Sequence, residues 1–179
     1  MGAHGAVLIT DDALRGVDAL ATARVLAAAT TRAPFDLVLT GVESTDGYTG
    51  TLPMTIAELL GVPAITFARK VEVGDDGIRV ERQTEAGYDV VASALPALVT
   101  VTAASAEPRY PTLKGIMGAK SKPLEELTLE GLGLSAADVA PTQRVGAIEA
   151  APQKGPGEVV QGDAAAGRVA DLLAEAKVI

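Results

Sequence analysis

Residues 36–68 read DLVLTGVESTDGYTGTLPMTIAELLGVPAITFA, and this stretch contains a strand, a loop, a helix and a second strand in succession. The apolar runs at 37–39 and 64–68 are typical of short buried strands. Between them, Pro53 suits the first turn of a helix and Gly61 suits its C-cap. Apolar strands joined by a helix predict a parallel sheet with helices on its faces.

The flanking sequence extends this pattern on both sides. Residues 6–9 form another apolar run, and the Ala-rich stretch 12–29 carries apolar residues at helical spacing, so we expect a strand followed by one helix. Residues 70–92 alternate between polar and apolar around two glycine-containing turns, which predicts an antiparallel meander at one edge of the sheet. Residues 95–101 return to a buried strand.

Beyond the sheet the sequence changes character. Residues 141–156 predict an extended arm, with a possible strand at 145–148. Residues 162–177 have the apolar stripe of an amphipathic helix. We therefore expect an α/β domain over residues 1–140 and a C-terminal arm and helix over residues 141–179.

Composition excludes several classes of function. The 179 residues carry 15 basic and 23 acidic side chains, a net charge of −8, whereas nucleic acid binding needs a basic face. The chain has no cysteine and a single histidine, His4, which leaves little for thiolate, iron–sulfur or histidine chemistry. No apolar run approaches the ~18 residues of a membrane span. We expect a cytoplasmic protein that binds no nucleic acid, does not insert into membranes and has no catalytic or metal site.

The first candidate site is the loop at 41–53, which leaves a buried strand and enters a helix. It contains three glycines and the hydroxyl groups of Ser44, Thr45, Thr49 and Thr51. Exposed amides, hydroxyls and a positive helix end together favour a phosphate. The spacing matches neither a P-loop nor a dinucleotide-binding fingerprint, so an ordinary strand–helix connection is the alternative.

The second candidate site is the stretch at 106–123, a basic island on an acidic protein. Its basic residues, against the single acid Glu107, are Arg109, Lys114, Lys120 and Lys122. Such an island predicts a docking or phosphate-binding patch. The alternative is a solvated loop leading into a short helix, with Leu113, Ile116 and Met117 packed inward.

Several stretches of the sequence together carry a family resemblance. They are DLVLTG at 36–41, AELLGVP at 57–63, LPALVTV at 95–101 and, above all, EPRYPTLKGIM at 107–117, followed by Lys120 and Lys122. With them the chain resembles the beta (small) subunit of electron transfer flavoproteins. The resemblance covers almost the whole chain and weakens only beyond Ser135.

The resemblance implies a Rossmann-like fold of the adenine nucleotide alpha hydrolase type. It also implies a heterodimer in which the larger alpha subunit holds most of the FAD contacts and this subunit binds AMP. Residues 1–140 would then be the nucleotide-binding domain, and residues 141–179 would pack on the alpha subunit. The residues expected around the AMP phosphate are Gly41, Val42, Glu43, Ser44, Thr45, Asp46, Gly47, Tyr48, Thr49, Gly50, Thr51 and Leu52.

The basic stretch resembles the family's recognition loop, which docks onto acyl-CoA and related dehydrogenases. Leu113 matches the apolar anchor that enters a pocket on the dehydrogenase. An aliphatic anchor ringed by basic residues suits a transient complex, because the pocket gives specificity and the charges speed encounter. The residues expected to dock are Pro111, Thr112, Leu113, Lys114, Gly115, Ile116, Met117, Lys120 and Lys122.

The chain departs from the family pattern in two ways. Met1 matches a point well inside that pattern, so roughly the first third of the usual subunit is not represented, and a sheet without that strand is expected to expose an apolar edge. Gln83 occupies a position where some members carry a carboxylate that pairs with the partner subunit. Glutamine can hydrogen-bond there but holds no ion pair.

We expect an electron carrier subunit that has no catalytic residues of its own. It would accept electrons from dehydrogenases and pass them to a quinone-linked or other acceptor. The alternative is a stand-alone adenine-nucleotide-binding module without a redox role. A nucleotidyl transferase would need a base or a nucleophile, and the sequence offers no residue for either role.

Overall fold

The protein is described by a computed structural model over residues 1–103, 105–153, 155, 157 and 159–178. The strands are β1 (Ala6–Ile9), β2 (Leu37–Gly41), β3 (Ala64–Gly74), β4 (Gly77–Thr84), β5 (Gly87–Ser93), β6 (Ala97–Val101) and β7 (Leu124–Leu127). The α-helices are α1 (Ala19–Thr30), α2 (Leu52–Leu60), α3 (Leu113–Ala119) and α4 (Ala164–Glu175), with 3-10 turns at Asp12–Leu14 and Glu130–Leu132.

The main sheet combines parallel and antiparallel pairing in the order β2–β6–β3–β4–β5. β2 and β3 both run parallel to β6, so Val99 lies opposite Leu39 on one side and Ile65 on the other. β3, β4 and β5 continue the sheet as an antiparallel meander with β5 at its edge. The predicted α/β fold, with a parallel sheet and an antiparallel edge meander, is confirmed.

Strand β6 is the centre of the core. Its residues from Ala97 to Thr100 are buried. Since side chains alternate along a strand, Val99 packs with Ile65 and Val80 of the meander, whereas Leu98 packs with Ile56 of α2. Each such aliphatic side chain contributes about 1.5–3 kcal/mol of burial free energy. The core therefore fixes α2 and β6. Because β2 pairs with β6, both ends of the 41–52 loop are held.

A second, smaller sheet pairs β1 with β7 in parallel. β7 was not predicted, because its sequence LEEL lacks the apolar run of a buried strand and its first three residues are exposed. Val7 and Leu8 of β1 and Leu39 of β2 are all about half exposed, at 51%, 47% and 58%.

The prediction of one helix over residues 12–29 is wrong at its start. The chain makes a 3-10 turn at Asp12–Leu14 and bends at Gly16, where φ is 74°, before α1 begins at Ala19. Asp18 caps α1 because its Oδ1 accepts a hydrogen bond from the amide of Ala21 at 2.9 Å. The left-handed Gly16 ends the first turn, and the capping carboxylate of Asp18 begins a new helix. The apolar spacing in the sequence continues across this interruption and does not reveal it.

The carboxylate of Asp18 also binds a distant part of the chain. Its Oδ2 accepts hydrogen bonds from the amide of Thr142 (2.6 Å), the hydroxyl of Thr142 (2.8 Å) and the amide of Gln143 (2.9 Å). These hydrogen bonds hold the pKa of Asp18 far below its usual range. The bond from the Ala21 amide has the largest effect, followed by the bond from the Thr142 hydroxyl and those from the two amides.

This shift predicts where in pH the hydrogen bonds of Asp18 stabilise the protein. Because the folded pKa is lowered, the stabilisation is complete above the unfolded pKa of about 3.9 and is lost only as the pH falls below it. We expect Asp18→Asn to lower the free energy of unfolding by a constant amount from about pH 7 to pH 5, with the gap to the wild type narrowing below about pH 4. Urea unfolding across this range measures the difference in free energy of unfolding between the two proteins. A difference that grows as the pH falls would contradict the assignment.

Residues 145–179 form a second compact unit, separate from the unit at 1–144. Within it α4 confirms the helix predicted over 162–177. The strand predicted at 145–148 is wrong, because Val145 and Ile148 are 74% and 90% exposed and that stretch has no regular secondary structure. Lys154, Pro156, Glu158 and Ile179 lie outside the described residues. The expected division of the chain after residue 140 stays a prediction.

Two further observations concern the described residues alone. None of their helices is long and apolar enough to cross a bilayer. None of their His, Asp and Glu side chains form a group of three or more that could hold a metal ion.

Candidate functional site

The two candidate segments leave the same edge of the main sheet. In the parallel register, Gly41 at the end of β2 lies opposite Val101 at the end of β6. The loop that enters α2 and the segment that leads to α3 therefore begin side by side. Ligand sites of parallel α/β sheets lie at this carboxyl edge.

A groove of about 760 Å³ opens at the carboxyl ends of β2 and β6. Phe67 lines it from a β-bulge, where the residue has a φ of 56° and its amide donates to the Thr100 hydroxyl at 2.9 Å. A left-handed φ is costly for an aromatic residue and is held here by the sheet on both sides. The other lining residues are Val42, Glu43, Arg82, Gln83, Thr84, Glu85, Val101, Thr102 and Ala103.

The loop between β2 and α2 is mostly exposed and turns sharply. Tyr48 has a φ of 47°, Gly50 has a φ of 62°, and the amide of Tyr48 donates to the Ser44 carbonyl oxygen at 3.2 Å. Thr51 precedes α2 but makes no side-chain capping bond. Pro53 has no N–H, and the amide of Thr55 donates to the Thr51 carbonyl oxygen at 3.1 Å, so Leu52 and Met54 carry the other N–H groups of this turn, at the positive end of the helix dipole.

Two carboxylates lie in the same loop. The Asp46 carboxylate accepts hydrogen bonds from the Ser44 hydroxyl and from the amides of Asp46 and Gly47, and these bonds lower its pKa. The bond from the Gly47 amide is 2.8 Å long. The charge of Asp46 is thus satisfied inside the loop. Glu43 lies beside Gly50, since its Oε2 is 3.6 Å from the position that a Cβ on Gly50 would take.

These groups fit a nucleotide phosphate with its sugar. The hydroxyls of Thr45, Thr49 and Thr51 and the α2 amides are donors suited to phosphate oxygens. The carboxylate of Glu43 accepts hydrogen bonds and so suits a sugar hydroxyl better than an anion. The donors and the acceptor all come from one loop of this chain.

The basic segment forms a short exposed helix. The Thr112 hydroxyl caps α3 by accepting from the Gly115 amide at 3.1 Å. Leu113 is 76% exposed and Met117 is 68% exposed, and Ile116 is half exposed. The alternative in which these three side chains pack inward is therefore wrong.

Charge surrounds the apolar side chains of α3. Lys114, Lys120 and Lys122 are all exposed, as is Arg109 just before the helix. Gly115 and Gly118 leave the opposite face of α3 open toward the N-terminal residues, where a mainly apolar cavity of about 460 Å³ lies. The segment thus places exposed apolar side chains inside a rim of charged ones, which is the arrangement found at protein interfaces.

Comparison with known proteins agrees with this geometry. The electron transfer flavoprotein domain family matches residues 1–132. The electron transfer flavoprotein subunit beta of Mycobacterium tuberculosis is 38% identical over 184 aligned residues, which cover 100% of this chain and 69% of that protein. The chain belongs to the beta-subunit family of electron transfer flavoproteins. The subunit beta of Bacillus subtilis is 39% identical, over 100% of this chain and 71% of its own length.

A relative in Acetobacterium woodii belongs to a named complex. It is subunit CarD of the caffeyl-CoA reductase–Etf complex, 35% identical over 100% of this chain and 71% of that protein. Membership of the electron transfer flavoprotein family gives this chain an electron transfer role and implies an alpha-subunit partner. The roles of the residues in the loop and in the basic segment stay predictions.

Two residues at the sheet edge of this beta-subunit family member were not predicted as site residues. Phe67 and Arg82 line the groove beside Gln83. The Arg82 guanidinium donates to the Thr66 hydroxyl at 3.3 Å. Phe67 stands inside an apolar strand pattern, so nothing in its sequence neighbourhood indicates a left-handed bulge.

Proposed function

We propose that this chain is the electron-carrier subunit of a heterodimer whose larger subunit holds most of the FAD. In this assignment the chain binds AMP with the loop at 41–52 and docks onto acyl-CoA and related dehydrogenases with residues 111–122. The observation that carries the proposal is the exposed Leu113 on a short capped helix among lysines. A free aliphatic side chain held by a helix is suited to enter a pocket on another protein.

The AMP part of the proposal rests on the loop geometry. The uncapped first turn of α2 and the hydroxyls before it are donors for a phosphate, and Gly50 supplies the left-handed turn that brings the chain into the helix. AMP would hold the loop, α2 and the end of β2 in one arrangement. In this assignment its contribution is structural.

Substituting Gly50 tests the loop. We expect Gly50→Ala to lower AMP affinity about tenfold, because a left-handed alanine costs about 1–2 kcal/mol, and a loop that relaxes to avoid this cost moves away from the nucleotide. AMP content is measured by releasing nucleotide from the purified heterodimer and quantifying it by chromatography.

The matched control for this test is Gly61→Ala. Gly61 has nearly the same φ, 66°, but lies at the other end of α2, where an added Cβ meets nothing within 4 Å. Both variants should lose similar stability, whereas only Gly50→Ala should lose AMP. Equal AMP content in the two variants would contradict the assignment of the loop.

Neutralising the lysines tests the docking surface. We expect the triple variant Lys114→Gln, Lys120→Gln, Lys122→Gln to slow association with the dehydrogenase about tenfold at low salt, and the difference to shrink near 1 M salt. Stopped-flow kinetics across salt concentrations measures this. A triple glutamine variant at Arg15, Lys70 and Arg79 removes the same net charge elsewhere and should leave association nearly unchanged. Equal slowing in both variants would indicate a global charge effect and contradict a docking site on α3.

One observation favours the alternative of a stand-alone nucleotide-binding module. The donors and the acceptor of the loop all come from this chain. Such a module would retain AMP when purified alone and would show no affinity for the larger subunit. Nucleotide content and partner binding, measured on the same preparation, separate the two functions.

A further inference from the structure

The end of the first unit folds back onto helix α1. Leu129 and Val139 are buried against Ala21 and Val25 of α1. Leu132 and Leu134 pack on the same cluster. The chain from β7 to residue 140 is therefore fixed by apolar contacts, and those contacts end at Val139.

Hydrogen bonds hold the same segment at three points. The amide of Leu129 donates to Asp11 Oδ2 at 3.2 Å, and Arg24 donates to the carbonyl oxygen of Asp138 at 2.9 Å. The third point is Asp18, whose Oδ2 accepts the three bonds from Thr142 and Gln143. It lies beyond the last apolar contact, one residue before the first unit ends at Arg144.

The second compact unit, residues 145–179, is called the arm below, and it starts four residues later than the predicted C-terminal arm. We propose that Asp18 is a positioning residue for this arm: its carboxylate fixes the last residues of the first unit, and hence the point from which the arm starts. This inference rests on the proposed function, in which the arm binds the larger subunit. A fixed starting point lowers the conformational entropy that the arm loses on binding, so assembly is tighter without any new contact.

The chemistry of the site requires a carboxylate. Oδ1 caps α1 through the amide of Ala21, while Oδ2 accepts three hydrogen bonds. An asparagine can cap the helix with its carbonyl oxygen, but its NH₂ group is a donor and cannot accept from Thr142 or Gln143. Asp18→Asn therefore separates the two roles of the residue.

Amide hydrogen exchange of the full chain tests the anchor. In Asp18→Asn we expect the amides of Thr142 and Gln143 to exchange at least about tenfold faster, because both lose a bond to a charged acceptor, while the amide of Ala21 keeps its protection. Thr142→Val loses only the hydroxyl bond and should give a smaller increase. Asp12→Asn is the control, since Asp12 pairs with Arg15 on the surface and its side chain has no other partner among the described residues. Unchanged exchange at Thr142 and Gln143 in Asp18→Asn would overturn the anchor.

The effect on assembly is measured as dissociation of the heterodimer. We expect the larger subunit to leave the Asp18→Asn complex several-fold faster than the wild-type complex, with Asp12→Asn unchanged. Faster exchange with an unchanged dissociation rate would overturn the positioning role. If the wild-type chain bound no larger subunit, the proposed function would fail, whereas the exchange experiment would still decide the anchor.

Discussion

Replacing Leu113 by alanine is expected to lower kcat/KM for reduction of the heterodimer by an acyl-CoA dehydrogenase about 30-fold or more, since an anchor residue in a transient interface is worth roughly 2 kcal/mol. The flavin content should not change. Leu113 is 76% exposed, so its truncation removes little packing from the folded chain. The loss should therefore fall on docking and leave stability intact. Steady-state reduction kinetics and the unfolding midpoint, measured on the same variant, separate the two effects.

The matched control for Leu113 lies on the meander. Val73 is also aliphatic and 63% exposed, and it lies at the end of β3, next to the β3–β4 turn. Val73→Ala should leave reduction kinetics unchanged. If Leu113→Ala matched Val73→Ala in kcat/KM, α3 would not be the docking element.

Replacing Gly77 by alanine is expected to cost about 3 kcal/mol or more in free energy of unfolding. Gly77 opens β4 with a φ of 129°, and a Cβ there would overlap the backbone carbonyl oxygen of Ser93 on β5. Backbone on a paired strand cannot move aside without breaking the meander. Urea unfolding followed by circular dichroism gives the loss.

Gly87 provides the control for Gly77. It opens β5 with a similar φ of 147°, but a Cβ there meets nothing within 4 Å. Gly87→Ala should lose only about 1 kcal/mol, from backbone strain alone. Equal losses in the two variants would show that the close approach of Gly77 to β5 is not what makes glycine necessary there.

Several elements of the fold could be predicted from the sequence because their patterns are local. β1, β2 and α2 carry their own apolar runs and caps, and the structure places them within one or two residues of the prediction. The meander could also be predicted from the sequence, since its strands alternate between polar and apolar residues and its turns contain glycine. β7 could not be predicted, because its pairing with β1 is decided by distant contacts and not by its own composition.

The candidate site was predictable in position but not in conformation. The loop and the basic segment follow β2 and β6, and the carboxyl edge of a parallel sheet is where such segments meet. Whether Leu113 points inward or outward depends on which other elements pack against α3. The local sequence pattern does not contain that information. The same holds for Asp18, whose partners Thr142 and Gln143 lie more than a hundred residues away along the chain.

We propose that this chain carries electrons only as part of a flavin-containing heterodimer. The most direct test is to co-express it with the large electron transfer flavoprotein subunit of the same organism, purify through a tag on this chain, and record the visible absorbance spectrum. We predict a yellow one-to-one complex with a flavin spectrum that bleaches on adding an acyl-CoA dehydrogenase and its substrate. A colourless chain that elutes alone would contradict the account.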